Sequence, residues 1–298
     1  LALKGHKVVI LEALPEPGGM ARVGIPEYRL PKEVVRQEID YIRKLGVEIQ
    51  AGVEVGKHVS LDELKKKSDA IFIAVGAHQG MALRVPGEDL PGVIEGIECL
   101  RRVNLGEKIE VGKKVAVIGG GNTAIDCART SKRLGAEEVT ILYRRTRAEM
   151  PASEEEISAA EAEGIKIEFL VAPARFLGDG VVSGVELIKM KLGEPDASGR
   201  PRPIPIEGSE FRLSMDTVIA ALGQTPRVDF AKGLGVLLSR RGTVEVDSDT
   251  GATNIEGIFA GGDVVTGPAF VVDAMAAGRR AARSIDAYLC GMPLPTEE

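Results

Sequence analysis

Three glycines, Gly119, Gly120 and Gly121, stand between an apolar run from Val115 to Ile118 and a segment of helical periodicity from Asn122 to Leu134. Such a stretch suits chemistry done by the backbone. Gly119 permits a sharp turn, and Gly121 lets a pyrophosphate approach the main chain. Asn122 and Thr123, at the start of a helix, offer free N–H groups and the positive end of its dipole. The third position of the G-x-G-x-x-G pattern is Ala124, small enough for close helix–strand packing. At the end of the next apolar run, Val139 to Tyr143, stand Arg144, Arg145 and, two places on, Arg147. An acidic side chain at that corner would accept a hydrogen bond from a ribose 2′-hydroxyl. Guanidinium groups there match a 2′-phosphate bidentately, which selects NADP(H) over NAD(H). The competing reading is an ordinary basic surface run.

The elements that must position these residues form a strand, a helix and a parallel strand, a βαβ unit. The same order recurs at the start of the chain. LALKGHKVVILEA repeats the helix end, glycine, apolar strand and terminal polar residue of RLGAEEVTILYR. Glu12 therefore occupies the place of Arg144 in a second dinucleotide fold, where a carboxylate suits an unphosphorylated adenosine ribose; a solvated strand end is the alternative. By the spacing of the central unit, the glycine turn matching Glu12 lies about 20 residues before it, upstream of Leu1.

The remaining segments fall around these two units. Gly and Pro punctuate residues 15–31 densely, which predicts an ordered loop carrying Arg22 and Arg29 as candidate diphosphate cations or as surface arginines. Helices are expected over Lys32 to Leu45, Leu61 to Lys67, Ile97 to Val103, Ser153 to Glu163 and Val271 to Leu289. Strands are expected at Val47 to Ala51, Val53 to Val55, Asp69 to Gly76, Ile165 to Val171, Met215 to Ala221 and Val244 to Val246. Val181 to Leu192 and Phe211 to Ser214 alternate around the turn-rich GEPDASGRPRP and predict a β-meander layered on the sheet. An apolar strand from Gly257 ends in Gly261, Gly262 and Asp263 before a glycine loop and a helix. That is a cradle for a ribityl diphosphate chain, or a simple helix cap.

The net charge of −6 and the absence of any extended basic region exclude a nucleic-acid footprint. No apolar run approaches membrane-spanning length and no secretory signal opens the sequence, so the expectation is a cytoplasmic protein. Cys99, Cys127 and Cys290 are far apart and form no C-x-x-C pair, which leaves neither a redox dithiol nor a metal motif; they read as buried small hydrophobes.

The combination of LEA followed by GGM, GIPEYRLP, VIGGGNTAID, YRRTRAEMPA, ALGQTP and IFAGGDV resembles the FAD- and NADP-dependent β (small) subunit of glutamate synthase, within the wider pyridine-nucleotide disulfide oxidoreductase group. The resemblance spans the whole chain. It implies an α/β fold of two Rossmann-like dinucleotide domains as in glutathione reductase, with residues 107–226 as an NADP domain inserted into an FAD domain of residues 1–106 and 227–298. On the FAD side it implies Glu12 at the adenosine ribose and Gly19, Met20 and Arg29 around the diphosphate. It adds Val55 at adenine, and Gly262, Asp263, Phe270 and Val271 at the ribityl chain and flavin. On the NADP side it implies Gly119, Gly120, Gly121, Asn122 and Thr123 at the pyrophosphate, Arg144, Arg145 and Arg147 at the 2′-phosphate, and Ala221, Leu222 and Gly223 at the nicotinamide half. Hydride would pass from NADPH to FAD with no acid–base residue, and electrons onward to a large catalytic subunit or a ferredoxin-like acceptor. The family's cysteine-rich iron–sulfur domain and first glycine loop are not among these residues. An NADP(H)-binding unit without flavin or activity is the alternative.

Overall fold

A computed structural model describes residues 1–196 and 199–295. The chain divides into two compact units. The first comprises 1–22, 27–79 and 224–298, and the second comprises 23–26 and 80–223, so the second is inserted in the sequence of the first.

The first leg runs through β1 (Val9–Glu12), α1 (Gly19–Val23), α2 (Lys32–Lys44), β2 (Glu48–Ala51), α3 (Leu61–Lys67) and β3 (Ile71–Ile73). β1 and β2 pair in parallel, with Glu12 opposite Ala51. α3 starts on a capping box: Ser60 Oγ accepts from the Glu63 N–H, and the Glu63 carboxylate accepts from the Ser60 N–H. The expected loop over 15–31 contains the short helix α1. The expected strand at Val53 to Val55 does not form; Val55 makes only an isolated bridge to Val59.

β4 (Gln79–Gly80) lies where the chain passes to the second unit. There follow β5 (Val93–Glu95), α4 (Gly96–Asn104), β6 (Lys114–Ile118), α5 (Asn122–Arg133), β7 (Glu138–Tyr143), α6 (Glu154–Ala162) and β8 (Lys166–Phe169). The unit continues with β9 (Val171–Gly178), β10 (Val182–Pro195), β11 (Pro201–Pro205), β12 (Phe211–Ser214) and β13 (Thr217–Ala220). Its main sheet has the order β5-β13-β6-β7-β8, parallel throughout. β6 is a four-residue apolar run buried on both faces, and β7 buries Val139, Ile141, Leu142 and Tyr143 with Thr140 half-buried among them, as parallel strands covered on both sides require.

The expected antiparallel layer forms against the sheet, with β9 and β11 as strands that the expectation did not include. The long β10 pairs with β9 on one edge and with β12 and then β11 on the other. Part of the expected GEPDASGRPRP turn is strand; Ala197 and Ser198 within it lie outside the described residues. Val171, Phe176, Val182, Val185 and Leu187 of this layer pack on Ala116, Ile118, Leu142 and Val218 of the parallel sheet, making one buried apolar core.

The unit begins at Gly80 rather than at residue 107, and the reason is hydrogen bonding. β5 pairs in register with β13, Val93 opposite Val218, and the Cys127 Sγ of α5 reaches the Gly96 carbonyl at the start of α4. The return to the first unit falls at 223/224, three residues before the expected 226/227.

The last leg holds β14 (Gln224–Thr225), α7 (Asp229–Lys232), β15 (Ile258–Ala260), α8 (Asp263–Thr266) and α9 (Val271–Leu289). β15 pairs in parallel with β3. Around them Leu61, Ile73, Val228, Ala231, Val236, Ile258 and Val264 form the core of the first unit. Val244 to Val246 is not a strand; Val244 makes a single antiparallel bridge to Leu238. Within this unit the parallel strands form two separate pairs, β1-β2 and β3-β15. Among the described residues, no helix is long and apolar enough to cross a membrane.

Candidate nucleotide-binding site

In the second unit the loop from β6 to α5 is built by sterics. Gly119 takes a φ of +144°, and a Cβ there would lie 2.2 Å from the Ala221 carbonyl oxygen. The Ala221 N–H donates to the Ile118 carbonyl at 2.8 Å, so the end of β13 closes against the turn. A Cβ at Gly120 would lie 2.4 Å from the Tyr143 ring, whereas one at Gly121 would meet nothing nearer than Pro151 Cγ at 3.8 Å. Thus Gly119 and Gly120 are required by the protein itself, while Gly121 leaves open space over the start of α5. Among the described residues no side chain caps that helix start, which leaves the Asn122 and Thr123 N–H groups at the positive end of the helix dipole.

The loop is braced from a segment the sequence reading did not connect with it. The Ala152 N–H donates to the Gly120 carbonyl at 3.1 Å, and the Ser153 N–H donates to Asn122 Oδ1 at 3.3 Å. Tyr143 donates its hydroxyl to the Glu149 carbonyl at 2.6 Å, which holds its ring beneath Gly120. The sequence signal was the run Glu149-Met150-Pro151-Ala152, whose proline marks a bend in the chain.

The three arginines at the end of β7 have separate fates. Arg144 is exposed and makes no ion pair among the described residues. Arg145 is only 3% exposed, donating from Nη2 to Asp196 Oδ2 at 2.8 Å and from Nε to the Pro201 carbonyl at 2.7 Å. Its guanidinium ties β7 to the β10–β11 connection and does not point to solvent. Arg147 pairs with Glu154 and Glu161 of α6, both at 2.6 Å. The three residues are close in sequence, yet the structure leaves Arg144 as the open cation of the corner. Ala221, Leu222 and Gly223 continue from β13 beside the Gly119 turn, with Ala221 buried and Leu222 exposed.

In the first unit, Glu12 ends β1 half-buried. Its Oε1 accepts from the Leu14 N–H at 2.8 Å, and burial pushes its carboxyl above the ordinary value. Gly19 and Met20 open α1. Arg22, in the same turn, pairs with Glu16 at 2.7 Å. Arg29 is exposed and Val55 half-buried. Gly262, with a φ of +76°, precedes Asp263 at the start of α8. Asp263 Oδ1 accepts from the Ala269 N–H at 3.3 Å; burial raises its pKa, and the nearby Asp273 charge adds to the rise. A Cβ at Gly261 would crowd the Phe72 ring at 3.1 Å and Ala277 Cβ at 3.2 Å, so α9 approaches the strand end closely. Phe270 is 70% and Val271 49% exposed at the head of α9. A partly desolvated carboxyl at Asp263, close in the chain to the exposed Phe270 and Val271, suits a polyhydroxyl chain attached to a flat ring.

Cys99 and Cys127 are buried, and burial pushes the Cys99 thiol up to about 11, so it holds its proton at neutral pH. Cys290 is exposed, against the expectation that all three are buried.

Comparison with known proteins accords with this geometry. The β subunit of NADP(+)-dependent formate dehydrogenase from Moorella thermoacetica is 49% identical over 303 residues, spanning all of this chain and 43% of that protein. The small chain of NADPH glutamate synthase from Azospirillum brasilense is 39% identical over 303 residues, spanning 97% of this chain and 63% of that protein. The chain therefore covers less than two thirds of the length of either relative. In fold, FprA from Mycobacterium tuberculosis superposes with a TM-score of 0.81 at 22% identity, over 96% of this chain and 78% of that one. That likeness establishes the α/β architecture with two Rossmann-like sheets. The pyridine nucleotide-disulphide oxidoreductase model matches residues 1–278, and the chain belongs to that family.

Proposed function

We propose that this chain is the nicotinamide- and flavin-binding part of an electron-transferring oxidoreductase, with NADPH as donor, FAD as internal carrier and a partner subunit or ferredoxin-like protein as acceptor. One observation carries the reading: an open space over Gly121 at an uncapped helix start, with the exposed Arg144 at the end of the neighbouring strand. A diphosphate takes the first feature and a 2′-phosphate the second.

The residues present fit both groups. In the second unit the N–H groups of Asn122 and Thr123 bind the pyrophosphate, Arg144 the 2′-phosphate, and the Ala221 to Gly223 backbone orients the nicotinamide half. In the first unit Glu12 accepts from ribose hydroxyls and Asp263 from the ribityl chain. Phe270 and Val271 shield the ring, and Gly19, Met20, Arg29, Val55 and Gly262 complete the contacts. When bound, the nicotinamide supplies a hydride, and the flavin accepts it and releases electrons singly. The protein's share is binding, orientation and exclusion of water, so no side chain is assigned proton transfer. The acceptor is a partner subunit or a ferredoxin-like protein. The glutamate synthase small-chain type is one form of that arrangement, and the formate dehydrogenase relative is another that is more similar in sequence.

The alternative is a chain that takes NADP(H) without retaining flavin. The visible absorption spectrum before and after anaerobic NADPH decides between the two. A flavin band that bleaches supports the oxidoreductase reading; a colourless protein that binds NADPH supports the second.

A further inference from the structure

The corner after β7 carries a charge arrangement that a simple arginine cluster would not have. Arg147 donates from Nη1 to Glu161 Oε1 and from Nη2 to Glu154 Oε1, each at 2.6 Å. Ser158 Oγ, one turn along α6 from Glu154, donates to the same Oε1 at 3.3 Å and steadies that carboxylate. Each terminal nitrogen of the guanidinium thus gives one of its two N–H groups to a carboxylate, so a phosphate approaching Arg147 meets a cation whose charge is already compensated and competes with both pairs for it. One cation facing two carboxylates also leaves the trio with net negative charge, which repels a phosphate dianion. Arg145 is held by Asp196 and the Pro201 carbonyl. Of the three arginines, Arg145 and Arg147 face carboxylates, and Arg144 makes no ion pair among the described residues.

We infer that Glu154 and Glu161 withhold Arg147 from the nucleotide 2′-phosphate and so set how strongly the second unit discriminates NADP(H) from NAD(H). The inference rests on the reading of this corner as the 2′-phosphate site. The carboxylates act on affinity through Arg147 and are specificity-determining without touching the ligand. Both are exposed, and Glu154 with Arg147 stands on the wall of an open cavity of about 780 Å³ floored by Met150, Ala152, Ile157 and Phe169. Replacing Glu by Gln at these positions therefore removes charge without removing packed volume.

The test is isothermal titration calorimetry of the full chain with 2′,5′-ADP and, as the probe lacking the 2′-phosphate, ADP. Glu154→Gln and Glu161→Gln together are expected to raise affinity for 2′,5′-ADP by roughly five- to tenfold, the scale of releasing two exposed ion pairs. ADP affinity stays unchanged, and each single variant gives a smaller gain. Adding Arg147→Ala to the double variant abolishes the gain. The salt dependence of 2′,5′-ADP binding steepens in the double variant, since one more cation meets the phosphate. An unchanged or weakened 2′,5′-ADP affinity in the double variant overturns the inference, because the carboxylates would then aim Arg147 at the ligand. A wild-type chain that binds ADP and 2′,5′-ADP equally overturns the 2′-phosphate reading itself, and this inference falls with it.

Discussion

Arg145 turns inward from the end of β7 to Asp196 and the Pro201 carbonyl, while its neighbour Arg144 stays in solvent. Both residues lie in the bend that follows β7, and the split rests on the partners that hold Arg145, Asp196 and the Pro201 carbonyl. The two substitutions should therefore fail differently. Arg144→Ala is expected to weaken 2′,5′-ADP by about 1.5–3 kcal/mol, the scale of one charged hydrogen bond, and to leave ADP unaffected. Arg145→Ala is expected to cost about 2 kcal/mol of stability, because Asp196 loses its buried partner; chemical denaturation measures that. Equal losses of both ligands in Arg144→Ala would remove the residue from the 2′-phosphate. Glu12 offers a pH test at the same scale. Burial raises its folded-state pKa above the ordinary 4.5, partly opposed by the Leu14 N–H. A raised pKa means that its contribution to stability is fully present below about pH 4.5 and is lost as pH rises through the folded value. Glu12→Gln should remove that loss from a series of melting curves, and an unchanged pH dependence would show that the carboxyl is not desolvated.

α5 and α6 are joined by a network rather than by single pairs. Arg129 donates to Glu156 at 2.6 Å and to Glu163 at 2.9 Å, and Arg133 reaches Glu163 at 2.7 Å. The Arg133 hydrogen bond and then Arg129 hold the Glu163 carboxyl down at about 2, against the opposing effect of burial. A depressed pKa contributes stability above the ordinary carboxylate range, lost as pH falls from about 4.5 towards 2. Glu163→Gln should lower the melting temperature at neutral pH and flatten the curve across that acid window; a parallel downward shift at every pH would instead mark a packing effect. None of this network was legible in the sequence, because the partners are some thirty residues apart and surface charges carry no periodicity. The glycine turn, β6, α5, β7 and α9 were legible, since apolar runs and helical spacing announce buried elements. The place of β5 and α4 in the second unit was not. Val93 to Glu95 is a half-buried edge strand of three residues, and only its pairing with β13 shows which sheet it joins. Val53 to Val55 and Val244 to Val246 read as strands because valine favours extended backbone, but each finds one bridge and no ladder.

Over the whole molecule, the inserted arrangement puts the two proposed ligands on units that the chain builds from different segments. The residues expected at NADP(H), from Gly119 to Arg147 and at Ala221 to Gly223, all fall in the second unit. Those expected at FAD, from Glu12 through Val55 to Gly262 and Val271, all fall in the first. Each unit also has its own buried core, Leu142 and Leu187 in one, Ile73 and Ile258 in the other. A ligand that binds only folded protein stabilises the elements it touches, by an amount that grows with the logarithm of its concentration relative to Kd. Hydrogen exchange should therefore separate the two sites. 2′,5′-ADP is expected to slow exchange at the N–H groups from Gly120 to Thr123 and around Arg144, leaving the Glu12 and Gly262 to Asp263 amides as they were. Added FAD is expected to do the reverse. Protection by FAD confined to the second unit would move the flavin away from Glu12 and Asp263. Protection of neither unit by FAD, with clear protection by 2′,5′-ADP, would leave the second unit, with its five-stranded parallel sheet, as the working part of this chain.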